Sequence, residues 1–465
     1  MHRLPTIYGA PSTPSTSAPS PPKRVAPLSL LLLGTGGSSA LPYLPCLTSP
    51  TPSGCCPACA DTLPRSQGGS GRKSKNVRGN TGAVVRVPPT VEEWERGERE
   101  EKTVLIDCGK TFREQALKFF PKHGLRKIDA CILTHHHADA VDGLDDLRAW
   151  TYHSAIERTI PIYTTRTTYT AIASSFPYLI SKKAASGGGA VPSFSWHIMP
   201  DPEVELEERG EVQDWEVCGV RICPVPVEHG HYFNRPKGTP QRPLVSLGFL
   251  IEGEVLYISD VSRVPPPTLS LLTRRLSPSS ALKALIIDSS SPLHPSASHF
   301  ALPQALSLAV RLGARRTYLT DLAHGASNAM WVDVCEAVGR GRGEGMASGW
   351  DGRGSLSDEE DDGGCAGEGT DELAAFSHLF ASQSLAINGP PSPSSDLPLT
   401  FHHPSSYYAS LLPRALRAIE AFAPLVLDAR PWVRPGVDGM VIEWGDGEGE
   451  GEVWDSEYDG AEEER

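Results

Sequence analysis

The run from Ile132 to Leu147, which contains His135, His136, His137 and Asp139, constrains this chain more than any other stretch. It follows Ile128 to Leu133, whose β-branched and apolar residues read as a buried strand. In extended backbone, residues i and i+2 point to the same side, so His135 and His137 can grip one ion while Asp139 leans in behind them. Imidazoles with a carboxylate suit zinc, manganese or iron better than calcium or magnesium. The bland alternative is a polar loop, and it requires three histidines and an acid to fall within five positions by accident.

The cluster resembles the His-x-His-x-Asp-His signature of the metallo-β-lactamase superfamily. It departs from that signature at one position, where the final histidine is Ala140.

The rest of the chain narrows the class. At 465 residues it is long enough for a sizeable core, and 44 glycines with 42 prolines leave room for unstructured pieces without signalling wholesale disorder. A net charge of −13 argues against a large nucleic-acid surface. Of ten cysteines, four lie between Cys46 and Cys59, which suits a metal-bound cluster in a reducing compartment better than a secreted disulfide framework. No apolar run approaches membrane-spanning length. Ala26 to Leu33 follows Lys23 and Arg24 in the manner of a signal peptide. It is short for one and leads into Gly34-Thr-Gly-Gly37, so it reads as a first strand and its turn. The expected compartment is the cytoplasm, with an organellar presequence left open because the serine- and proline-rich start lacks acids.

The chain divides into a disordered tail over 1–26, one hydrolase-like domain over 27–445 and an acidic disordered tail over 446–465. Insertions are expected at about 64–78 and 92–102, with an acidic one at about 340–373 around Asp358 to Asp362. Strands are expected at Leu28 to Leu33, Thr81 to Val87, Thr103 to Asp107, Ile160 to Tyr163, Val217 to Pro224, Val245 to Glu252, Val255 to Ser259, Leu282 to Asp288, Arg316 to Thr320 and Met440 to Trp444. Helices are expected at Phe112 to Phe119, Gly143 to Trp150 and Leu302 to Leu312. Strands in consecutive pairs, punctuated by helices, point to a layered α/β sandwich and not to a doubly wound parallel sheet.

Four further segments end in a candidate ligand: a strand running into Glu228-His229-Gly230-His231, strands ending in Asp260 and Asp321, and His299 at the mouth of a helix. Each alone is ordinary turn chemistry. Taken in order behind His135, together with Gly34-Thr-Gly36, Gly79-Asn-Thr81, Asp107-Cys-Gly109 and Asp438-Gly439-Met440, they resemble the subfamily that contains phosphoribosyl cyclic phosphate phosphodiesterases, and its plant and fungal branch in particular. The resemblance implies an αββα four-layer sandwich with a metal site at one sheet edge. It implies that His135, His137 and His229 hold a first metal, that Asp260 bridges to a second, that Asp139 serves the second metal or orients the attacking water, and that His299 assists phosphate binding and proton transfer. Dinuclear members use two further histidines, and their positions here are Ala140 and Asp321. A second ion would therefore rely on Asp139, Asp260 and Asp321, a set that favours manganese, iron or magnesium over zinc; otherwise the site is mononuclear. His231 remains an alternative to His229.

Cys56-Pro-Ala-Cys59 has the tight spacing of structural zinc, and a redox or merely buried pair is its alternative. In the resembled family Cys46, Cys56 and Cys59 are joined by a late histidine, which here is His324. The functional expectation is a metal-dependent hydrolase of a small cyclic or nucleotide-like phosphodiester. It carries a structural zinc and zinc, manganese or iron in the active site, with no membrane partner and an open oligomeric state. Two alternatives compete: a non-catalytic metal-binding protein, and a nuclease of the tRNA 3′-processing type, for which only the Arg72 to Arg78 patch offers a basic arm.

Overall fold

The computed structural model describes residues 6–7, 22–49, 55–187, 190–233, 241–276, 282–341, 408, 410–445 and 453–458. The strands in chain order are β1 (Thr6–Ile7), β2 (Leu28–Gly34), β3 (Gly82–Val87), β4 (Lys102–Ile106), β5 (Ala130–Ile132), β6 (Ile160–Thr165), β7 (Phe194–Met199), β8 (Trp215–Val217), β9 (Val220–His231), β10 (Pro243–Ile251), β11 (Val255–Ile258), β12 (Ala284–Asp288), β13 (Arg316–Thr320), β14 (Val433–Pro435), β15 (Val441–Trp444) and β16 (Val453–Asp455). Among the described residues they form two sheets, ordered β1-β7-β6-β5-β4-β3-β2-β15-β16 and β14-β13-β12-β11-β10-β9-β8.

Both sheets are apolar on both faces, as strands covered on two sides must be. In β4, Val104 and Ile106 face the core between the sheets, while Leu105 faces the helix side. In β12, Ala284 and Ile286 face the inter-sheet core, and Leu285 and Ile287 face the opposite helical layer. The helix Phe112–Phe119 buries Phe112, Gln115, Ala116 and Phe119, the one-face spacing that docks it on the first sheet. Leu302–Leu312 covers the second sheet and ends at Gly313, whose φ of 64° closes the helix in the left-handed region. The result is an αββα sandwich, as expected.

This layering sets the edge that matters. Strands β11, β12 and β13 are parallel, with Ile258 beside Ile287 and Asp288 beside Thr320. Asp260, Asp288 and Asp321, which follow or end these strands, therefore emerge at the same edge. In the first sheet, parallel β4 and β5 pair Ile106 with Ile132 and deliver Asp107 and His135 to their own ends.

Several boundaries differ from the sequence expectation. Thr6–Ile7 pairs with His197 and Ile198, because a free strand edge offers backbone hydrogen bonds that need no apolar side chain; 8–21 lie outside the described residues. Lys23 and Val25 bond the backbone of Val91 and Pro89, so the end of that tail is docked. The expected insertion at 92–102 contains a helix, Val91–Glu95, closed by a reciprocal Thr90–Glu93 capping box. The acidic end is not wholly solvated: β16 pairs with β15, and buried Asp455 accepts from Tyr318 Oη at 2.8 Å and Arg316 at 2.9 Å. Gly143 to Trp150 forms a 3-10 turn over Asp142–Leu147 and then the short helix Arg148–Thr151, with no side-chain cap from Asp142 or Asp145. The acidic insertion from 342 onward and the ends at 446–452 and 459–465 lie outside the described residues.

The expected basic insertion at 64–78 is also built in. Its last residue, Arg78, is fully enclosed and donates to Thr35 Oγ1 and Gly436 O, each at 2.6 Å, and to Asn328 Oδ1 at 2.8 Å. Burial pulls its guanidinium down to about 10, against the attraction of Asp438. Asp438 in turn accepts from the backbone N–H and hydroxyl of Thr35 at 2.8 Å and from Gly79 N at 2.7 Å. Four segments far apart in sequence, around Thr35, Arg78, Asn328 and Asp438, are thereby tied behind the site. Arg78→Met is expected to lower unfolding stability by about 3–5 kcal/mol, because it strands a half-buried carboxylate and three acceptors; urea denaturation followed by tryptophan fluorescence measures it.

Candidate metal centre

Three imidazoles converge where β5 and β9 reach the edge. His135, His137 and His229 present ring nitrogens that all lie within 4.8 Å of one another. His137 Nδ1 is 3.1 Å from His229 Nε2. His229 is buried and His231, two residues on, is exposed, so the chain places His229 in the group and His231 outside it. Regular alternation would put both on one side; Gly230 between them, at φ 72° in the left-handed region, breaks the extended backbone and turns His231 away.

Local hydrogen bonds set which nitrogen of each ring is available. Thr134 Oγ1 donates to Asp107 Oδ2 at 2.8 Å, so its lone pair accepts from His135 Nδ1 at 2.9 Å. His229 Nδ1 donates to the carbonyl of Ser298 at 2.7 Å, since a carbonyl can only accept. In both rings Nε2 is left as the lone-pair atom. His135 Nε2 is buried and has no hydrogen-bond partner, the signature of an atom meant for something other than the protein. Burial, reinforced by neighbouring His229, holds His135 well below the usual histidine range, and burial lowers His137 as well. Both are thus in the neutral form that a metal ligand needs. Neutral imidazoles with outer hydrogen bonds fit a divalent ion, and these three residues would hold it.

The acids occupy a second tier. Asp260 lies with Oδ1 3.9 Å from His229 Nε2, and Asp260, His229 and His299 form another group within 4.8 Å. His299 Nδ1 sits between two carboxylates, 2.8 Å from Asp321 Oδ2 and 3.0 Å from Asp288 Oδ2. Burial works against a charge on His299, but Asp321 and Asp288 outweigh it and push it up to about 12. Burial pushes the carboxyl groups of Asp288 and Asp321 above the usual range, with His299 opposing. Asp139 belongs to none of these tight groups; its Oδ1 is buried without a hydrogen bond. Gly109 is needed beneath it, since a Cβ there would stand 1.8 Å from the Asp139 carbonyl oxygen. Arg148 and Arg263 are engaged with Asp145 and Glu228, each at 3.0 Å.

Asp288, Thr134 and Ser298 were not singled out from the sequence. Asp288 carried the same signal as Asp260 and Asp321, an aspartate closing an apolar strand. The other two act through bonds that no local pattern announces.

A second cluster lies beside the first. Cys46, Cys56, Cys59 and His324 present four ligand atoms within 4.8 Å of one another. Cys46 Sγ is 3.7 Å from Cys56 Sγ, far beyond a disulfide bond, and His324 Nδ1 is 3.4 Å from both sulfurs. A hydrogen bond from Cys59 and the proximity of His324 pull the Cys56 thiol down to about 4 despite its burial. A Cys3His set of this kind suits structural zinc. Its members meet because Asp321 and His324 are three residues apart on the turn leaving β13, so one turn serves both clusters.

Residues 102–321 match the model of the beta-lactamase superfamily domain. A Porphyromonas gingivalis protein called octanoyltransferase is 26% identical over 225 residues, which are 48% of this chain and only 37% of that protein. Among solved structures, a diphosphatase of the PhnP family is 25% identical, with 65% of this chain and 89% of that one covered and a TM-score of 0.44. Human tRNase Z, short form, is 17% identical, with 63% and 93% covered and a TM-score of 0.38. Among the described residues, no helix is long and apolar enough to cross a membrane.

Thr134→Val removes the hydroxyl that orients His135 and is expected to weaken active-site metal affinity about 10–100-fold, with Thr134→Ser close to wild type; competition against a chromogenic chelator reads the difference. Cys56→Ala is expected to lose zinc and thermal stability while His135, His137 and His229 retain their ion, as scanning calorimetry with elemental analysis would record.

Proposed function

We propose that this chain is a metal-dependent phosphodiesterase acting on a small cyclic or nucleotide-like phosphodiester. The observation that carries the reading is the buried, unpartnered Nε2 of His135 beside His137 and His229, with His299 one ring away between two carboxylates. The ordered resemblance of the site segments to the cyclic phosphate phosphodiesterase subfamily supplies the substrate class. Net charge of −13 favours a small substrate over a long polyanion.

His135, His137 and His229 hold the ion, with Asp260 alongside; zinc suits this set, as do manganese and iron. When bound, the ion supplies Lewis acidity toward a phosphoryl oxygen and makes water a stronger nucleophile near neutral pH. Asp139 offers its unpartnered carboxylate oxygen to orient and deprotonate the attacking water. His299 donates to a phosphoryl oxygen and then to the leaving oxygen, its ring kept in place by Asp288 and Asp321. The inter-sheet core behind these groups excludes bulk water and strengthens each interaction.

One observation favours a second reading, a non-catalytic metal-binding protein: Ala140 offers no ligand, and the Asp321 carboxylate is bonded to His299. Turnover of bis(p-nitrophenyl) phosphate and of a cyclic nucleoside phosphodiester separates the two. Chelator treatment is expected to abolish turnover and manganese or zinc to restore it, and His137→Ala is expected to lower kcat/KM by on the order of 1000-fold. Absence of turnover with every metal supplied would leave the second reading standing.

A further inference from the structure

Resting on the phosphodiesterase reading above, we propose that His136, Tyr232 and Arg242 form a ledge beside the metal centre that takes the flat base of a nucleoside phosphodiester, and so set which phosphodiesters are cleaved.

The ledge is made by the end of the β9–β10 hairpin. The strands pair His231 with Pro243, and Tyr232 N donates to Arg242 O at 3.0 Å, so the two legs stay joined one residue beyond that pair. Residues directly opposite on such legs can bring their side chains together. Here the Arg242 guanidinium carbon lies 5.3 Å from the centre of the Tyr232 ring, within cation–π range. The Tyr232 ring is nearly parallel to that of His136, at 11° with centroids 6.3 Å apart, an offset stack. His136 in turn meets the candidate ligand His137 edge on, with centroids 5.5 Å apart. A phenol and an imidazole therefore present flat faces that start one ring from the metal centre.

A stack built only to hold the fold would be enclosed, and this one is open. His136 and Tyr232 are half-buried, Arg242 is exposed, and the neighbouring Phe233 is wholly exposed. Arg242 makes no ion pair among the described residues, and Glu203 attracts it from beyond contact distance. Arg148 and Arg263 are by contrast paired with Asp145 and Glu228. Asp201, another acid near Tyr232, is engaged by Thr167 N and Oγ1, each at 3.0 Å. Aromatic faces take any base by stacking, and an unpaired guanidinium favours a ligand that is both planar and anionic. With the phosphodiester at the imidazoles, the attached sugar bridges to the ledge and the base lies on it. A phosphodiester without a base has nothing flat to offer there.

The test compares adenosine 2′,3′-cyclic phosphate with a base-free counterpart, glycerol 1,2-cyclic phosphate, on the full metal-loaded chain, with turnover followed by phosphorus NMR. Wild type is expected to favour the adenosine substrate in kcat/KM. Tyr232→Ala is expected to lower that preference about 5- to 100-fold, through KM, and Tyr232→Phe to retain it. Arg242→Ala, at an exposed position, is expected to act in the same direction and serves if Tyr232→Ala fails to fold. Equal loss on both substrates, or an unchanged preference, overturns the proposal. If wild type turns over neither substrate, the phosphodiesterase reading fails, and calorimetric titration with adenosine 5′-monophosphate and with ribose 5-phosphate decides the ledge by itself. Tighter binding of the monophosphate that Tyr232→Ala abolishes supports the ledge, and equal affinities refute it.

Discussion

Carboxylates and imidazoles buried together at one edge of a two-sheet core set the terms for the rest of this molecule. Asp107, Asp260, Asp288 and Asp321 are each at most 5% exposed, and His135 is wholly enclosed. Desolvating an ion costs several kcal/mol, so each such group needs a partner. The fold supplies them in pairs: Thr134 to Asp107, His299 to Asp288 and Asp321. His135 Nε2, Asp139 Oδ1 and Asp288 Oδ1 are left buried there without a hydrogen-bond partner.

The same principle organises the support behind the site. Arg78, buried, and Asp438, half-buried, are tied to Thr35 and the backbone around Gly79 and Gly436. That knot fastens the turn after β2, the segment entering β3 and the loop entering β15. The turn after β13 is drawn in as well, through the bond from Leu322 N to Thr35 O, so the placement of Asp321 and His324 is secured from outside both clusters.

Much of the candidate site was legible without a structure because its candidate ligands lie at strand ends. Alternation along a strand and an abrupt stop at an acid or imidazole are local signals, and they exposed His135, His137, His229, Asp260, Asp321 and the Cys56–Cys59 hairpin. Asp288 bore the same mark and passed unnoticed because many strands end in an aspartate. Thr134, Ser298 and Arg78 bore none. A threonine that sets a tautomer, a carbonyl that orients a ring and an arginine that closes three loops are defined by partners distant in sequence.

The sequence by itself determined the layered α/β architecture, since strands apolar on both faces and one-sided helices have few ways to bury those faces. It also determined which residue types reach the sheet edge. Only the tertiary structure decided how those residues pair. The parallel register of β11, β12 and β13 brings Asp288 and Asp321 onto one nitrogen of His299, a contact set by packing and not by spacing.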